Sequence, residues 1–186
     1  MSMPLGAVRF LMPPISLIGC GASKAVGSYL KTYGVKKSLI VTDQGLAKIG
    51  VADTIKKYIE EAGLEAVIYP GAEPNPTDKN VADGVKAYKD NGCDSIVSLG
   101  GGSSHDCGKG IAIVAVGGGR IHDYKGIDTV TKPMPFFVAI NTTAGTGSEM
   151  TPAAVITNTE NHVKMVVWSI NVSANVAIND PELMVG

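Results

Sequence analysis

The chain has 186 residues, enough for one domain of ordinary size with a buried core. Its formal net charge is −1, it has no basic block, and aromatic residues make up 5% of it, so the composition argues against nucleic-acid binding. Three cysteines without a CxxC pattern indicate a reducing, cytoplasmic location. No apolar run approaches the length of a membrane span, and we expect no membrane association.

The chain begins with alternating strand and helix patterns. An apolar run at residues 15–18 predicts an edge strand before a glycine-rich turn. A lipoprotein cleavage box at residues 17–20 is the alternative, which the pair Pro13-Pro14 disfavours because it breaks the apolar helix of a leader. Short runs of apolar residues predict four further strands, at residues 38–42, 66–69, 96–99 and 136–140. Runs in which the apolar residues are consecutive indicate strands that are buried on both faces of a parallel sheet.

Helical patterns lie between these strands. Apolar residues from Val51 to Ala62 fall on one face of a helix that Gly63 ends, and Thr77 caps a second helix that ends near Gly92. An apolar helix follows the glycines after residue 99. Three further short strands are predicted at residues 153–157, 163–167 and 175–178. The repeated βα order predicts a single α/β domain over residues 1–186, with a doubly wound, Rossmann-like, mostly parallel sheet and helices on both faces.

Three polar clusters each follow a predicted strand, and ligands of such sheets bind beyond the carboxyl ends of the strands. The most informative cluster is the run Gly-Gly-Gly-Ser-Ser-His-Asp at residues 100–106. Its backbone amides, next to a helix N-terminus, favour an anion such as a nucleotide phosphate. The run matches neither the P-loop nor the dinucleotide fingerprint pattern, so a purely structural turn is the alternative.

The other two clusters are Asp43 and residues 141–149. The Asp43 carboxylate could accept both ribose hydroxyls of an adenosine and would repel a 2′-phosphate, which favours NAD over NADP; the alternative is a simple helix cap. The short hydroxyls and glycines of residues 141–149 could line a polar cofactor or form only a turn. Three such clusters at one sheet edge together favour a nucleotide site.

Other chemistries have weaker support. Ser104, His105 and Asp106 are the residue types of a catalytic triad, but neighbours on a helix point about 100° apart and cannot face one another. His105, His122 and His162 lack the spacing of metal ligands. The sequence therefore predicts neither a catalytic residue nor a metal site in this chain.

Taken together, these clusters resemble the iron-dependent (group III) alcohol dehydrogenase family. The stretches that carry the resemblance are Leu-Ile-Val-Thr-Asp, Glu-Pro-Asn-Pro, Gly-Gly-Gly-Ser-Ser-His-Asp, Thr-Thr-Ala-Gly-Thr-Gly-Ser-Glu and Asn-Asp-Pro-Glu-Leu-Met, at residues 39–43, 73–76, 100–106, 142–149 and 179–184. Within the family, the sequence is similar to the 1,3-propanediol and methanol dehydrogenase branch. The resemblance implies an NAD-dependent oxidoreductase that acts on an alcohol or aldehyde and usually self-associates.

The resemblance also implies residues that contact NAD. Asp43 would hold the adenosine ribose, with Asn75 nearby. The residues that would cradle the pyrophosphate are Gly101, Gly102, Ser103 and Ser104, with Asp106 at the helix start. Thr142 and Thr143 would line the adenine side. Ser148, Thr151 and Lys164 would approach the nicotinamide half, and Leu183 would pack on the cofactor.

Family members also carry an all-helical domain whose Asp and His side chains bind iron or zinc, a metal that polarises the alcohol. The resemblance implies that these ligands follow the Asp-Pro-Glu-Leu segment, where this sequence ends. We therefore expect the chain alone to bind NAD without catalysis and without a metal. Two alternatives stay open: a stand-alone, non-catalytic nucleotide-binding module, and a truncated, inactive gene product.

Overall fold

The structure is a computed structural model, and it describes residues 11–185; residues 1–10 and 186 of the predicted domain lie outside that range. The strands are β1 (Ile15–Ile18), β2 (Lys37–Val41), β3 (Glu65–Tyr69), β4 (Ser95–Gly100), β5 (Gly126–Ile127), β6 (Phe136–Asn141), β7 (Ala153–Thr157), β8 (Lys164–Trp168) and β9 (Val176–Asn179). The α-helices are α1 (Val26–Thr32), α2 (Gln44–Lys48), α3 (Val51–Glu61), α4 (Asp78–Asp90) and α5 (Gly102–Gly117).

The main sheet has six strands in the order β1-β9-β6-β4-β2-β3, and every neighbouring pair is parallel. This confirms the predicted doubly wound α/β fold. Strand β1 lies at one edge, as its sequence predicts. Strand β9, one of the short strands near the C-terminus, pairs with both β1 and β6 and so belongs to this sheet.

Helices cover both faces of the sheet, which explains why its central strands are apolar on both sides. Strand β2 shows the division: Ile40 packs in one core cluster with residues of α1 and α3, such as Leu30 and Ile55. Its neighbour Leu39 points to the other face and packs in a cluster with residues of α4 and α5, such as Val81 and Ile111. Successive side chains of a strand point to opposite faces, so one short strand contributes to both cores.

A local sequence signal fixes the start of helix α4. Thr77 forms a capping box with Asn80 at the start of α4: the Asn80 amide donates to Thr77 Oγ1 at 3.2 Å and the Thr77 amide donates to Asn80 Oδ1 at 2.8 Å.

Helix α5 begins at Gly102, not at the apolar residues after Asp106. The expectation that Asp106 lies at the start of this helix is therefore wrong; it lies in the second turn.

The chain path creates a crevice between β2 and β4. From β2 the chain runs through α2 and α3 to β3 at the edge of the sheet, whereas from β4 it runs through α5 towards β6 on the other side. Adjacent strands whose connections leave in opposite directions define a topological switch point, where such sheets bind ligands. The carboxyl ends of β2, β4 and β6, each followed by a polar cluster, are neighbours at this edge.

A small second sheet has the order β5-β8-β7, with β7 antiparallel to β8 and β5 parallel to it. Strands β7 and β8 are the first two of the three short strands predicted near the C-terminus. The β7–β8 hairpin reaches back to the loop before α4, because the Thr157 amide donates to the Pro76 carbonyl at 2.8 Å. Within residues 11–185, no helix is both long and apolar enough to cross a membrane.

Candidate functional site

A cleft of about 860 Å³ opens at the switch point between β2 and β4. Six of the predicted cofactor-contacting residues line it: Asp43, Gly101, Gly102, Ser103, Ser104 and Thr143. The other lining residues, most of which the sequence does not single out, are Gln44, Gly45, Tyr69, Pro70, Gly71, Ala72, Glu73, Pro74, Asn80, Asp83 and Thr146. Residues 69–71 follow the predicted strand 66–69, so the rule that ligands bind beyond strand ends could have found them.

The floor of the cleft is the first turn of α5. The first hydrogen bond of this helix runs from the His105 amide to the Gly101 carbonyl at 3.1 Å, so the amides of residues 102–104 have no partner within the helix. These residues all line the cleft. These amides have no hydrogen-bond partner among residues 11–185, and free amides at the positive end of a 16-residue helix are groups that can bind an anion.

Glycine is needed on this floor because other backbone and side chains come close. Gly100 has a φ of +143°, and a Cβ there would lie 2.4 Å from Ser104 Oγ. A Cβ at Gly101 would lie 3.0 Å from Thr143 Oγ1, and one at Gly102 would lie 3.3 Å from the Thr146 Cβ. The turn after β4 and the turn after β6 are therefore in contact, as expected for clusters at one sheet edge.

Asp43 lies across the cleft from α5 and has two functions available to its two oxygens. Its Oδ1 accepts from the Leu46 amide at 3.0 Å and caps α2, which is the alternative that the sequence left open. Among the described residues, no hydrogen bond to its Oδ2 is found, and Asp43 still lines the cleft. Capping and ligand binding are thus compatible at this residue.

Carboxylates dominate the charge of the cleft. Asp43, Glu73 and Asp83 line it, whereas no Lys, Arg or His is among the described residues that do. An anionic ligand must therefore place its phosphates at the amides of α5 and keep further negative charge away from Asp43.

Asp106 and Ser148 lie behind the cleft and contact each other. The Ser148 hydroxyl donates to Asp106 Oδ1 at 2.7 Å, and the Val155 amide donates to Oδ2 at 3.1 Å. Burial raises the pKa of Asp106, and the hydrogen bond from Ser148, the Lys109 ammonium and the Val155 amide oppose that rise. Neither Asp106 nor Ser148 is among the described residues that line the cleft, so the structure does not bring these two residues together with the six predicted residues that do.

The remaining predicted residues are not among the described residues that line the cleft. Lys164 Nζ donates to Asn75 Oδ1 at 2.9 Å, so these two residues meet although 89 positions separate them. Thr151 is exposed, and its Oγ1 is 3.5 Å from the Ser148 carbonyl. The Thr142 amide donates to the Gly100 carbonyl at 3.0 Å. Leu183 is partly buried in the 3₁₀ turn Pro181–Leu183 and packs against the core cluster that contains Ile40.

His105 is fully buried and is not part of a triad. Its Nδ1 is 2.8 Å from Ser98 Oγ, whereas Asp106 binds Ser148 and Val155. Burial lowers the pKa of His105 to about 3, and the positive charge of Lys109 adds to that effect. The imidazole is therefore neutral at physiological pH and serves the packing of α5 against β4.

Neither a metal cluster nor a second ligand site is indicated elsewhere in residues 11–185. In the part of the chain that the structure describes, no three His, Cys, Asp or Glu side chains come together as a metal site. A second cavity, of about 590 Å³, lies on the other side of α4. Lys79 and Arg120 line it together with Asp78 and Glu160, so opposite charges balance and no class of ligand is indicated.

Comparison with known proteins shows the family of the chain. The model of the iron-containing alcohol dehydrogenase family matches residues 13–181. The chain belongs to that family. It is 53% identical over 177 residues to the NAD-dependent methanol dehydrogenase of Bacillus methanolicus, covering 95% of this chain and 46% of that protein. It is 49% identical over 179 residues to the 1,3-propanediol dehydrogenase of Klebsiella pneumoniae, with the same two coverages.

A solved structure extends this comparison to the fold. The crystal structure of a 1,3-propanediol oxidoreductase superposes with a TM-score of 0.94 at 48% identity, covering 97% of this chain and 47% of the other. The chain thus spans about half the length of the alcohol dehydrogenases that it matches. It corresponds to their N-terminal part, and the resemblance predicted from the sequence motifs is confirmed.

Proposed function

We propose that residues 1–186 form one domain, the NAD-binding region of a metal-dependent alcohol dehydrogenase that transfers hydride between a primary alcohol or diol and NAD. One observation carries the proposal: the cleft at the switch point presents three helix amides, which have no partner among the described residues, together with the Asp43 carboxylate. Helix amides of this kind bind a pyrophosphate, and a carboxylate at this edge of the sheet binds an adenosine ribose. The printed names of the methanol and 1,3-propanediol dehydrogenases support an alcohol or diol substrate.

Each wall of the cleft would contribute to binding. The amides of residues 102–104 would hold the pyrophosphate, and Asp43 Oδ2 would accept from the ribose. The carboxylates Asp43, Glu73 and Asp83 would disfavour the additional phosphate of NADP. When bound, NAD supplies the hydride acceptor, and the residues on the nicotinamide side (Ser148, Thr151, Lys164, Leu183) would orient it.

The metal of the family does not fit the residues described here, because no cluster of ligating side chains is found among residues 11–185. We therefore derive no step through a metal for this stretch of chain. The polypeptide of these 186 residues is proposed to bind NAD and not to oxidise alcohol by itself. The iron or zinc would be held by residues of the family fold outside this stretch.

Location and assembly belong to the same proposal. The cysteines Cys20, Cys93 and Cys107 are free thiols, which supports a reducing, cytoplasmic compartment. The composition gives no support for a nucleic-acid partner. Self-association is expected from the family resemblance.

Calorimetric titration of the purified 186-residue protein tests the proposal. NAD and ADP-ribose are expected to bind at one site, and NADP more weakly. Absence of binding by both NAD and ADP-ribose would refute it. Tight NAD binding by a stable monomer would instead favour a stand-alone nucleotide-binding module. Alcohol-dependent NADH production by the metal-free protein would contradict the proposed lack of catalysis.

A further inference from the structure

The proposed function assigns no role to the buried lysine of helix α5. Lys109 lies on α5 with 0% of its surface exposed. Its ammonium donates to the backbone carbonyls of Ser148 at 2.6 Å, Thr151 at 2.7 Å and Ala153 at 2.8 Å. An ammonium has three donors and no acceptor, so these carbonyls satisfy it completely.

Asp106 completes a clamp around the same segment. It lies three residues before Lys109, so both side chains project from one face of α5. Asp106 accepts from the Ser148 hydroxyl and from the Val155 amide. Residues 148–155, called the clamped segment below, are therefore bound near both ends by Asp106 and at three carbonyls by Lys109.

The clamp connects to the cleft through two contacts. The Ser148 amide is 3.3 Å from Thr146 Oγ1, and Thr146 lies against Gly102 at the floor of the cleft. The clamped segment also carries the exposed side chain of Thr151. A shift of this segment would therefore move Thr146, which lines the cleft.

Bulk stability does not explain this arrangement. Burial lowers the pKa of Lys109 to about 8, and the negative charges of Asp106 and Glu149 oppose that effect. A buried set of charges is costly, and apolar residues in place of the whole set would often serve packing as well, although removal of the ammonium alone would leave Asp106 and Glu149 uncompensated. What the ammonium adds is direction, since three converging carbonyls fix the path of a segment that has no regular structure before β7.

We infer that Lys109 is a positioning residue that holds the clamped segment at the nicotinamide side of the cofactor site. This inference rests on the proposed function. Lys109 is fully buried and is not among the described residues that line the cleft, so it would act through the backbone of residues 148–153. Its removal should therefore weaken the contacts of the nicotinamide half and spare those of the adenosine and pyrophosphate, which depend on Asp43 and the first turn of α5.

Titrations of NAD and ADP-ribose into wild type and three variants test this. In Lys109→Met, the ratio of the ADP-ribose Kd to the NAD Kd should fall at least about fivefold, while the ADP-ribose Kd changes less than about twofold. Lys109→Arg should recover part of the ratio, because a guanidinium keeps the charge and the donors. Lys86→Met, on the exposed face of α4, should change neither Kd. An unchanged ratio in Lys109→Met, or equal weakening of both ligands, would overturn the inference.

Hydrogen exchange of the wild-type protein covers the case in which Lys109→Met does not fold. Peptides that span the clamped segment should exchange slowly, like those of β6, and those of residues 143–147 quickly. Equally fast exchange in both would overturn the inference whatever binds. If the wild type binds neither ligand, the proposed function fails. Slow exchange would then show only that the clamped segment is held against α5.

Discussion

Two successive turns of helix α5 both carry polar side chains, but the two turns differ in what they face. The first turn, residues 102–104, opens onto the cleft with unpaired amides. The second turn, residues 105–109, is covered by the segment 148–155, and its Asp106 and Lys109 are fully engaged with that segment. The first turn offers its groups to a ligand, whereas the second turn offers its groups to the protein.

This difference teaches that the neighbouring chain, more than burial, separates the roles along the glycine-rich run. Ser103 and Asp106 are both partly buried, but Ser103 lines the cleft whereas Asp106 accepts hydrogen bonds from Ser148 and Val155. A ligand meets mainly backbone at the first turn. The side chains of the second turn shape the wall that the ligand meets next.

The largest effect is expected in the second turn. Lys109→Met leaves Asp106 and Glu149 buried without their cation, so the free energy of unfolding should fall by about 3 kcal/mol. Urea denaturation measures this loss. Lys86→Met, which removes an exposed lysine paired with Asp90, should leave the midpoint unchanged. A midpoint for Lys109→Met equal to that of this control would show that the second turn is not a clamp.

His105, at the start of the second turn, predicts a pH effect. Its pKa in the folded protein is lowered from 6.5 to about 3, so the unfolded chain binds the proton first as pH falls. The stability contributed by neutral His105 is full above pH 6.5 and is lost as pH falls towards 3. At pH 5 the loss is about 2 kcal/mol. Urea denaturation at pH 7 and pH 5 should therefore show a decrease in the free energy of unfolding that is about 2 kcal/mol larger for wild type than for His105→Gln. An equal pH dependence of the two proteins would contradict the lowered pKa of His105.

The first turn should respond more in ligand binding than in stability. Gly101→Val places a branched side chain against Thr143, within the floor of the cleft. NAD binding should weaken at least about tenfold, about 1.4 kcal/mol, with ADP-ribose weakened equally because the pyrophosphate is affected. Calorimetry measures both, and the melting temperature serves as the control for folding. Normal NAD affinity would remove the first turn from the site.

The smallest effect separates the two roles of Asp43. Serine is also a good N-cap, so Asp43→Ser should keep the stability of α2 and lose the negative charge that faces the cleft. The ratio of NADP to NAD affinity should rise about fivefold, about 1 kcal/mol. An unchanged ratio together with unchanged stability would mean that Asp43 is only a helix cap.

The sequence predicted the fold well where local signals are strong. Consecutive apolar residues marked β2, β4 and β6, and Thr77 marked the start of α4. The start of α5 was placed too late, because glycine and serine are poor helix formers and hide a first turn that tertiary contacts stabilise. The position of β9 between β1 and β6 depends on long-range pairing that no local pattern contains.

The candidate site was predictable to a similar degree. Asp43 and the glycine-rich run could be placed at one sheet edge because parallel strands end together. The contact of Ser148 with Asp106 and the burial of Lys109 could not, since both depend on how residues 148–155 fold over α5. A lysine in a helix is usually exposed, and the sequence contains no sign that this one is buried.

The central claim is that the first turn of α5 and the facing turn after β6 bind the phosphates and adenosine of NAD. An NMR titration of the ¹⁵N-labelled protein with NAD tests it most directly. The account predicts the largest amide shift changes in residues 101–104 and 143–146, together with Asp43. It would be contradicted if the largest changes fell around the second cavity, at Asp78, His122 and Glu160, with residues 101–104 unchanged.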